Sequence, residues 1–144
     1  MSHPVHPRRG HQLLPHTADL IVQAWGETFQ ACVEEAILGL VTSFAEVDAA
    51  AIGDAAVNVI PAAAHEEQLL LALEEVVYLL DVRGDVPATT RVVGTPDGGL
   101  AVELGLVPLA AARVVGPAPK AITRHGMRLQ REHGIWQVAV TVDV

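Results

Sequence analysis

Residues 20–44 read LIVQAWGETFQACVEEAILGLVTSF, and they carry the two hydrophobic periods on which the fold depends. The first six residues form an apolar, β-prone run that ends at a glycine, a pattern typical of a strand. Thr28 is suited to cap a helix, and the apolar residues after it recur at helical spacing. We therefore expect a strand followed by a helix over about residues 29–44, with Glu34 and Glu35 on its solvent side.

The remaining elements follow from the same periods. Strands are predicted at 56–60, 89–93, 99–106, 120–129 and 135–142, and a second helix at about 65–80. In the last strand, alternation places Trp136, Val138, Val140 and Val142 on one face and Gln137, Ala139, Thr141 and Asp143 on the other. This order predicts an α+β fold of one domain, with two helices packed on a mostly antiparallel or mixed β-sheet.

Length and composition limit the domain organisation and the partners. The 144 residues fit a single domain. Residues 1–12 are polar, contain two prolines and show no periodicity, so we expect a flexible leader there and the folded domain over 13–144. The formal net charge of −8 would repel a polyanion such as RNA from most of the surface. A cation or a basic protein is a better match for this charge.

Cysteine usage and hydropathy limit the kind of site and the compartment. The single cysteine, Cys32, excludes an internal disulfide and a cysteine-based zinc cage, and its place on the predicted helix favours a buried thiol. No apolar run approaches the roughly 20 residues needed to span a bilayer. The first twelve residues also lack the apolar core of a signal peptide. We therefore expect a cytoplasmic protein with no membrane association.

The first candidate site is Asp19, which follows His16, Thr17 and Ala18 directly before the first predicted strand. An acid at the mouth of a strand can hold a cation while backbone groups complete its coordination. Carboxylate and carbonyl oxygens suit hard cations such as Mg²⁺, Mn²⁺ or Ca²⁺. The alternative is that Asp19 only caps a turn.

Two further candidates lie in the second half of the chain. Asp143 and Val144 follow the last predicted strand directly. If Val144 ends the chain, a side-chain carboxylate, a backbone carbonyl and a terminal carboxylate could gather there. Lys120 is the only lysine, and its compact charge suits a phosphate or a metal-bound oxygen. The alternatives are an ordinary exposed acidic end and a solvated surface lysine.

Together these residues resemble a known family. The stretch HTADLIVQAWG at 16–26 resembles the opening of the archease family, and EQLLLALEEVVYLL at 67–80 resembles its acidic, leucine-rich second helix. KAITRH at 120–125 resembles the archease Lys-Ala-x-Thr-Tyr-His strand, and the closing Asp143-Val144 resembles the terminal Asp-Ile or Asp-Val. The four motifs occur in the family's order and span about residues 12–144.

The resemblance implies a function and a site. Archeases are helpers of RtcB-type RNA ligases in tRNA splicing and RNA repair, so it implies an accessory protein, not itself an enzyme, that promotes guanylylation of the ligase and restores its turnover. RNA would be reached only through the ligase. The resemblance also implies a divalent-cation site (Ca²⁺, Mg²⁺ or Mn²⁺) formed by Asp19, Asp143 and an oxygen of Val144, with Lys120 and His16 in supporting or partner-facing positions.

Two other interpretations stay open on the sequence alone. The same acids could belong to a metal-binding or chaperone-like module that acts on a different client protein. A small hydrolase could use His16, Asp19 and His125, although the chain offers no nucleophile partner or oxyanion motif for it. Arg124 and Arg128 lie four residues apart on a predicted strand, so they are expected to share a face and could contact a ligase or a phosphate.

Overall fold

The computed structural model describes residues 8–15 and 19–144, which form nine strands and two α-helices. The strands are β1 (Gly10–Pro15), β2 (Asp19–Gly26), β3 (Ala45–Glu46), β4 (Asp54–Ile60), β5 (Asp85–Gly94), β6 (Leu100–Pro108), β7 (Arg113–Val114), β8 (Ala121–Glu132) and β9 (Ile135–Asp143). The helices are α1 (Phe29–Thr42) and α2 (His65–Tyr78), and a π-helical segment, Leu79–Arg83, continues α2. None of the helices in this part of the chain is long and apolar enough to cross a membrane.

The strands form two main sheets, and every ladder in them is antiparallel. One sheet has the order β1-β2-β9-β8 and the other has the order β4-β6-β5, while β3 and β7 form a short separate ladder. Helix α1 packs against β2 of the first sheet, β5 of the second and helix α2. The predicted α+β fold, with two helices on antiparallel sheets in one small domain, is confirmed.

Local sequence explains why the central elements form where they do. Thr28 caps α1 as predicted, since its hydroxyl accepts the Ala31 N–H at 3.0 Å. Strands β2 and β9 bury alternate residues, such as Val22 on β2 and Val140 on β9. Their other residues face away from the core. The first sheet therefore has one face on the helices and one outer face.

Strand β1 was not expected from the sequence. Residues 10–12, which we had expected in the flexible leader, form the first half of this strand. Its sequence has no regular hydrophobic alternation. Backbone pairing with β2 and polar contacts of Arg9 and His11 with Glu35 of α1 hold the strand in place instead. Residues 1–7 of the expected leader lie outside the described residues.

Glu34 and Glu35 of α1 do not face solvent, contrary to the prediction. The Glu35 side chain accepts a hydrogen bond from Arg9 Nε at 2.6 Å and lies 2.8 Å from His11 Nδ1, and the residue is only 8% exposed. Glu34 accepts the backbone N–H of Val92 at 2.8 Å. The prediction was wrong because β1 and β5 cover this side of the helix. The spacing of apolar residues within the helix does not reveal contacts with distant strands.

Candidate functional site

Asp19 and Asp143 lie opposite each other at one end of the four-stranded sheet. Asp19 begins β2, Asp143 ends β9, and their Cα atoms are partners in the antiparallel register. Residues directly opposite in such a pair project from the same face, with Cα atoms about 4.5–5.5 Å apart. The two carboxylates can therefore approach within the span of a single cation, whose oxygen ligands lie about 2.0–2.6 Å from it.

The strand alternation decides which way this acidic pair points. The neighbours Val22 and Ala24 on β2 and Val142 on β9 are buried against the helices. Asp19 and Asp143 have the opposite parity, so they lie on the outer face, where Asp19 is half-buried and Asp143 is exposed. The pair is thus open to solvent and to a partner molecule.

The acidic pair is an unfavourable arrangement without a counter-ion. Like charges directly opposite on neighbouring strands destabilise a sheet. In the described part of the chain, neither the Asp19 nor the Asp143 carboxylate forms an ion pair with a basic side chain. A cation bound between the two carboxylates would remove this repulsion.

Lys120 lies at the same end of the sheet. Its backbone N–H donates to the carbonyl oxygen of Asp143 at 2.7 Å, and the next residue, Ala121, is the β8 partner of Asp143. Asp143 is therefore fixed on both sides, by β2 and by the start of β8. The Lys120 side chain is exposed, and its ammonium group forms no ion pair with any described carboxylate.

Val144 and His16 complete the set of residues implied by the family resemblance. Val144 follows Asp143 directly; it is half-buried, and it packs against the hydrophobic core. His16 lies outside the described residues, as do Thr17 and Ala18. The structure thus brings together four of the five residues: Asp19, Asp143, Val144 and Lys120.

The chemistry of these donors suits one class of metal. Across residues 8–15 and 19–144, no three His, Cys, Asp or Glu side chains converge on one point. Two carboxylates with a main-chain oxygen and water fit Mg²⁺, Mn²⁺ or Ca²⁺, which accept oxygen ligands and retain water. They do not form the closed nitrogen and sulfur cage of a structural zinc site.

Strand β8 carries an irregularity that the sequence did not reveal. The register of β8 with β9 shifts between Thr123 and Arg128, and Gly126 within this segment has a φ of 78°. Arg124 pairs with Glu67 of α2 at 2.7 Å, whereas Arg128 is opposite Ala139 on the outer face. The prediction that Arg124 and Arg128 share a face is therefore wrong, because the bulge changes the alternation between them.

His125, which the hydrolase interpretation would use, lies exposed in the irregular part of β8.

Cys32 is buried, and its burial, together with the nearby Glu35 charge, raises the pKa of the thiol to about 12. The predicted buried, unreactive thiol is confirmed, since a thiol with this pKa stays protonated at neutral pH.

Comparison with known proteins agrees with this architecture. The model of the Archease protein family matches residues 11–144. "Probable protein archease" of Mycobacterium tuberculosis is 38% identical over 136 residues, which cover 94% of this chain and 75% of the relative.

Two solved structures share the fold. A crystal structure of an archease from Thermotoga maritima, described as a possible chaperone, aligns over the whole of both chains with a TM-score of 0.67 and 18% identity. The solution structure of Methanobacterium thermoautotrophicum protein 1598 aligns over 94% of this chain and 99% of its own, with a TM-score of 0.70 and 20% identity. From the family match and the mycobacterial relative, the chain belongs to the archease family.

Proposed function

We propose that this chain is an accessory protein of an RtcB-type RNA ligase, and that it promotes guanylylation and multiple turnover of the ligase through a divalent cation. The observation that carries the proposal is the cross-strand pairing of Asp19 with Asp143. These two residues match the acidic positions of the archease motifs. The pairing supports the proposal because it puts two carboxylates on an open face, where a cation can be held and offered to a partner.

Each residue of the site has a separate part in this proposal. Asp19 and Asp143 supply carboxylate oxygens, and Val144 supplies a main-chain oxygen. The bound cation would neutralise phosphate charge during transfer of the guanylyl group. The Lys120 N–H keeps Asp143 in place, and the Lys120 ammonium group remains available to a phosphate oxygen of the ligase-bound nucleotide.

The charge of the protein is consistent with such a partner. A ligase surface that holds RNA phosphates is expected to be positive, and a chain with a net charge of −8 is attracted to it. The acidic pair is at the end of a sheet rather than within a deep cleft, so it can enter a cleft on the partner. We also propose that the protein acts in the cytoplasm.

A multiple-turnover ligation assay with the ligase from the same organism tests the proposal. Asp19→Asn and Asp143→Asn keep the shape of each side chain and remove its charge, while Asp81→Asn changes an exposed aspartate away from the site. We expect the first two variants to lose stimulation by about tenfold or more and the control to retain it. Full stimulation by both Asp19→Asn and Asp143→Asn would exclude the proposed role.

A second candidate function has one specific observation in its favour. The Thermotoga maritima relative of the same fold is described as a possible chaperone, which fits a metal-binding or chaperone-like module with a different client protein. The same assay distinguishes the two functions. If the wild-type chain binds its cation but leaves turnover of the cognate ligase unchanged, the client is a different protein.

A further inference from the structure

The three-stranded sheet has an open edge at strand β4. The sheet order is β4-β6-β5, so β4 pairs with β6 on one side and with no described strand on the other. Backbone N–H and C=O groups of alternate residues therefore point away from the sheet along Asp54–Ile60. An edge of this kind can accept a further strand.

Strand β4 lacks the protection that the other edge strands carry. The register of β8 is broken around Gly126, and that of β5 shifts after Pro87. Glu34 also accepts the backbone N–H of Val92 on β5, and β1 is short and ends at Pro15. By contrast, the register of β4 with β6 is unbroken, and β4 contains no proline or basic residue. Because natural proteins commonly protect the edges of their sheets by such means, this edge points to a strand partner.

The outer face of β4 is apolar and exposed. Val57 and Val59 are 63% and 68% exposed, and they alternate with Ile60, which is buried on the opposite face. Cross-strand contacts between apolar side chains on one face stabilise a sheet. A strand added beside β4 would cover both valines.

On its other face, β4 forms a groove with helix α2. The groove has a volume of about 320 Å³, and we call it the edge groove. Its walls include Asn58 and Ile60 of β4 and Leu71, Glu74, Glu75 and Tyr78 of α2. It therefore combines apolar side chains with two carboxylates beside the open edge.

These two carboxylates have no counter-ion. Within the described residues, neither Glu74 nor Glu75 forms an ion pair with a basic side chain. Burial raises the pKa of Glu75, so its carboxylate is partly removed from water. Arg83 lies near enough to act on Glu75, but its guanidinium pairs with Asp54 at 2.7 Å and with Asp85 at 3.2 Å. The edge groove is thus complementary to a basic side chain.

We propose that the edge groove binds an extended protein segment in which basic residues alternate with apolar ones, and that this segment pairs with β4 as a fourth strand. Successive side chains of a strand point to opposite faces. The apolar side chains would lie beside Val57 and Val59, and the basic ones would reach Glu74 and Glu75. Main-chain hydrogen bonds to the open edge would supply affinity, as in other cases of strand addition.

Charge separates this partner from two others. A second copy of the chain that paired β4 with β4 would place the two α2 helices on the same face, with Glu74 and Glu75 of each copy near those of the other. Both copies would also carry a net charge of −8. A nucleic acid would bring its phosphates against the same carboxylates. A basic extended segment is the partner that uses the backbone edge, the valines and the carboxylates together.

Fluorescence anisotropy with a labelled, end-capped octapeptide of alternating valine and lysine tests the proposal, at low salt, with EDTA present and no ligase. The same peptide with glutamate in place of lysine is the control for charge. Glu74→Gln and Glu75→Gln, made singly and together, remove the charges of the groove. Glu66→Gln is their matched control, because it removes an exposed carboxylate from the same helix outside the groove. Val59→Lys changes the outer face, and Val114→Lys is its control at a valine that is 62% exposed.

We expect the lysine peptide to bind and the glutamate peptide not to bind. Glu74→Gln and Glu75→Gln should each weaken binding by about two- to fivefold, and the double variant by about tenfold. Val59→Lys should also weaken it, whereas Glu66→Gln and Val114→Lys should change it little. Bound peptide should slow hydrogen exchange at alternate amides of β4 and leave the amides of β5 unchanged, a result that attraction of charges alone would not give.

Three results would overturn the proposal: a double variant that binds as tightly as the wild type, equal losses in Glu66→Gln and Glu74→Gln, or unchanged hydrogen exchange in β4. Self-association of the wild type in sedimentation velocity that Val59→Lys abolishes would overturn it in favour of a second copy of the chain. Displacement of the peptide by a single-stranded oligonucleotide would overturn it in favour of nucleic acid. Because no metal or ligase is present, failure here leaves the ligase proposal intact.

Discussion

The Asp143 carbonyl oxygen accepts the backbone N–H of Lys120 at 2.7 Å. This bond ties the chain entering β8 to the last residue of β9, which is also the partner of Asp19 on β2. Lys120 thus has two separable parts, a backbone group that positions Asp143 and an exposed ammonium group.

Lys120→Met separates these two parts. It removes the charge but keeps the backbone N–H and most of the aliphatic stem. We expect cation affinity to stay close to that of the wild type, while stimulation of the ligase falls by about tenfold or more, as for loss of a charged hydrogen bond to phosphate. Calorimetric cation titration and the turnover assay measure the two effects, and a parallel loss of both would refute the separation.

The buried carboxylate of Glu35 should contribute to stability. Glu35→Gln removes the charged acceptor shared by Arg9 Nε and the His11 ring, although Arg9 keeps its contact with Glu34. We therefore expect the free energy of unfolding to fall by about 1–3 kcal/mol. Glu74→Gln, at an exposed position on α2, should change it by less than about 0.5 kcal/mol. Urea denaturation compares the variants, and equal stabilities would show that β1 does not depend on this contact.

The bulge in β8 depends on Gly126. Its φ of 78° is unfavourable for a residue with a Cβ atom, although nothing lies within 4 Å of where that atom would be. We expect Gly126→Ala to lower the free energy of unfolding by about 1–2 kcal/mol through backbone strain alone.

Gly53→Ala is the control for this prediction. Gly53 also has open space around it but no positive φ, so the change should be neutral or slightly stabilising. If both alanine variants are equally stable in thermal or urea denaturation, the strand does not require the left-handed conformation at Gly126.

Burial of Cys32 should make stability depend on alkaline pH. The folded protein holds the thiol pKa at about 12, raised from 9.0, so above about pH 9 the unfolded state loses its proton first. Linkage then lowers the free energy of unfolding as pH rises from about 9 to 12, by up to about 1.4 kcal/mol per pH unit. This contribution is fully present below pH 9.

Cys32→Ala removes the thiol and should remove this part of the pH dependence. The measurement is the difference in unfolding free energy between wild type and Cys32→Ala at several alkaline pH values, which cancels the titration of other groups. A constant difference from pH 8 to pH 11 would contradict a raised thiol pKa.

Local periodicity predicted the elements that bury a regular face. The cap at Thr28 and the alternation of β9 could both be read from neighbouring residues, and the structure confirms them. Strand β1 could not be predicted in this way, because its position depends on β2 and on contacts with Glu35. The prediction that Glu34 and Glu35 face solvent was wrong for the same reason.

The candidate site was predictable in its residues but not in its geometry. The residue pattern and then the family resemblance singled out Asp19 and Asp143, yet only the β2–β9 register brings residues 124 positions apart into one pair. The bulge at Gly126 also changes the face of Arg128, and a bulge of this kind leaves no hydrophobic signal.

The most direct test of the shared cation is calorimetric titration of Mn²⁺ into wild type, Asp19→Asn, Asp143→Asn and the double variant. If both carboxylates bind one ion, each single variant weakens the same site by about tenfold or more, and the double variant loses little beyond that. Asp81→Asn should bind as the wild type does. Unchanged affinity in either single variant, or separate additive losses in the double variant, would contradict a cation shared by Asp19 and Asp143.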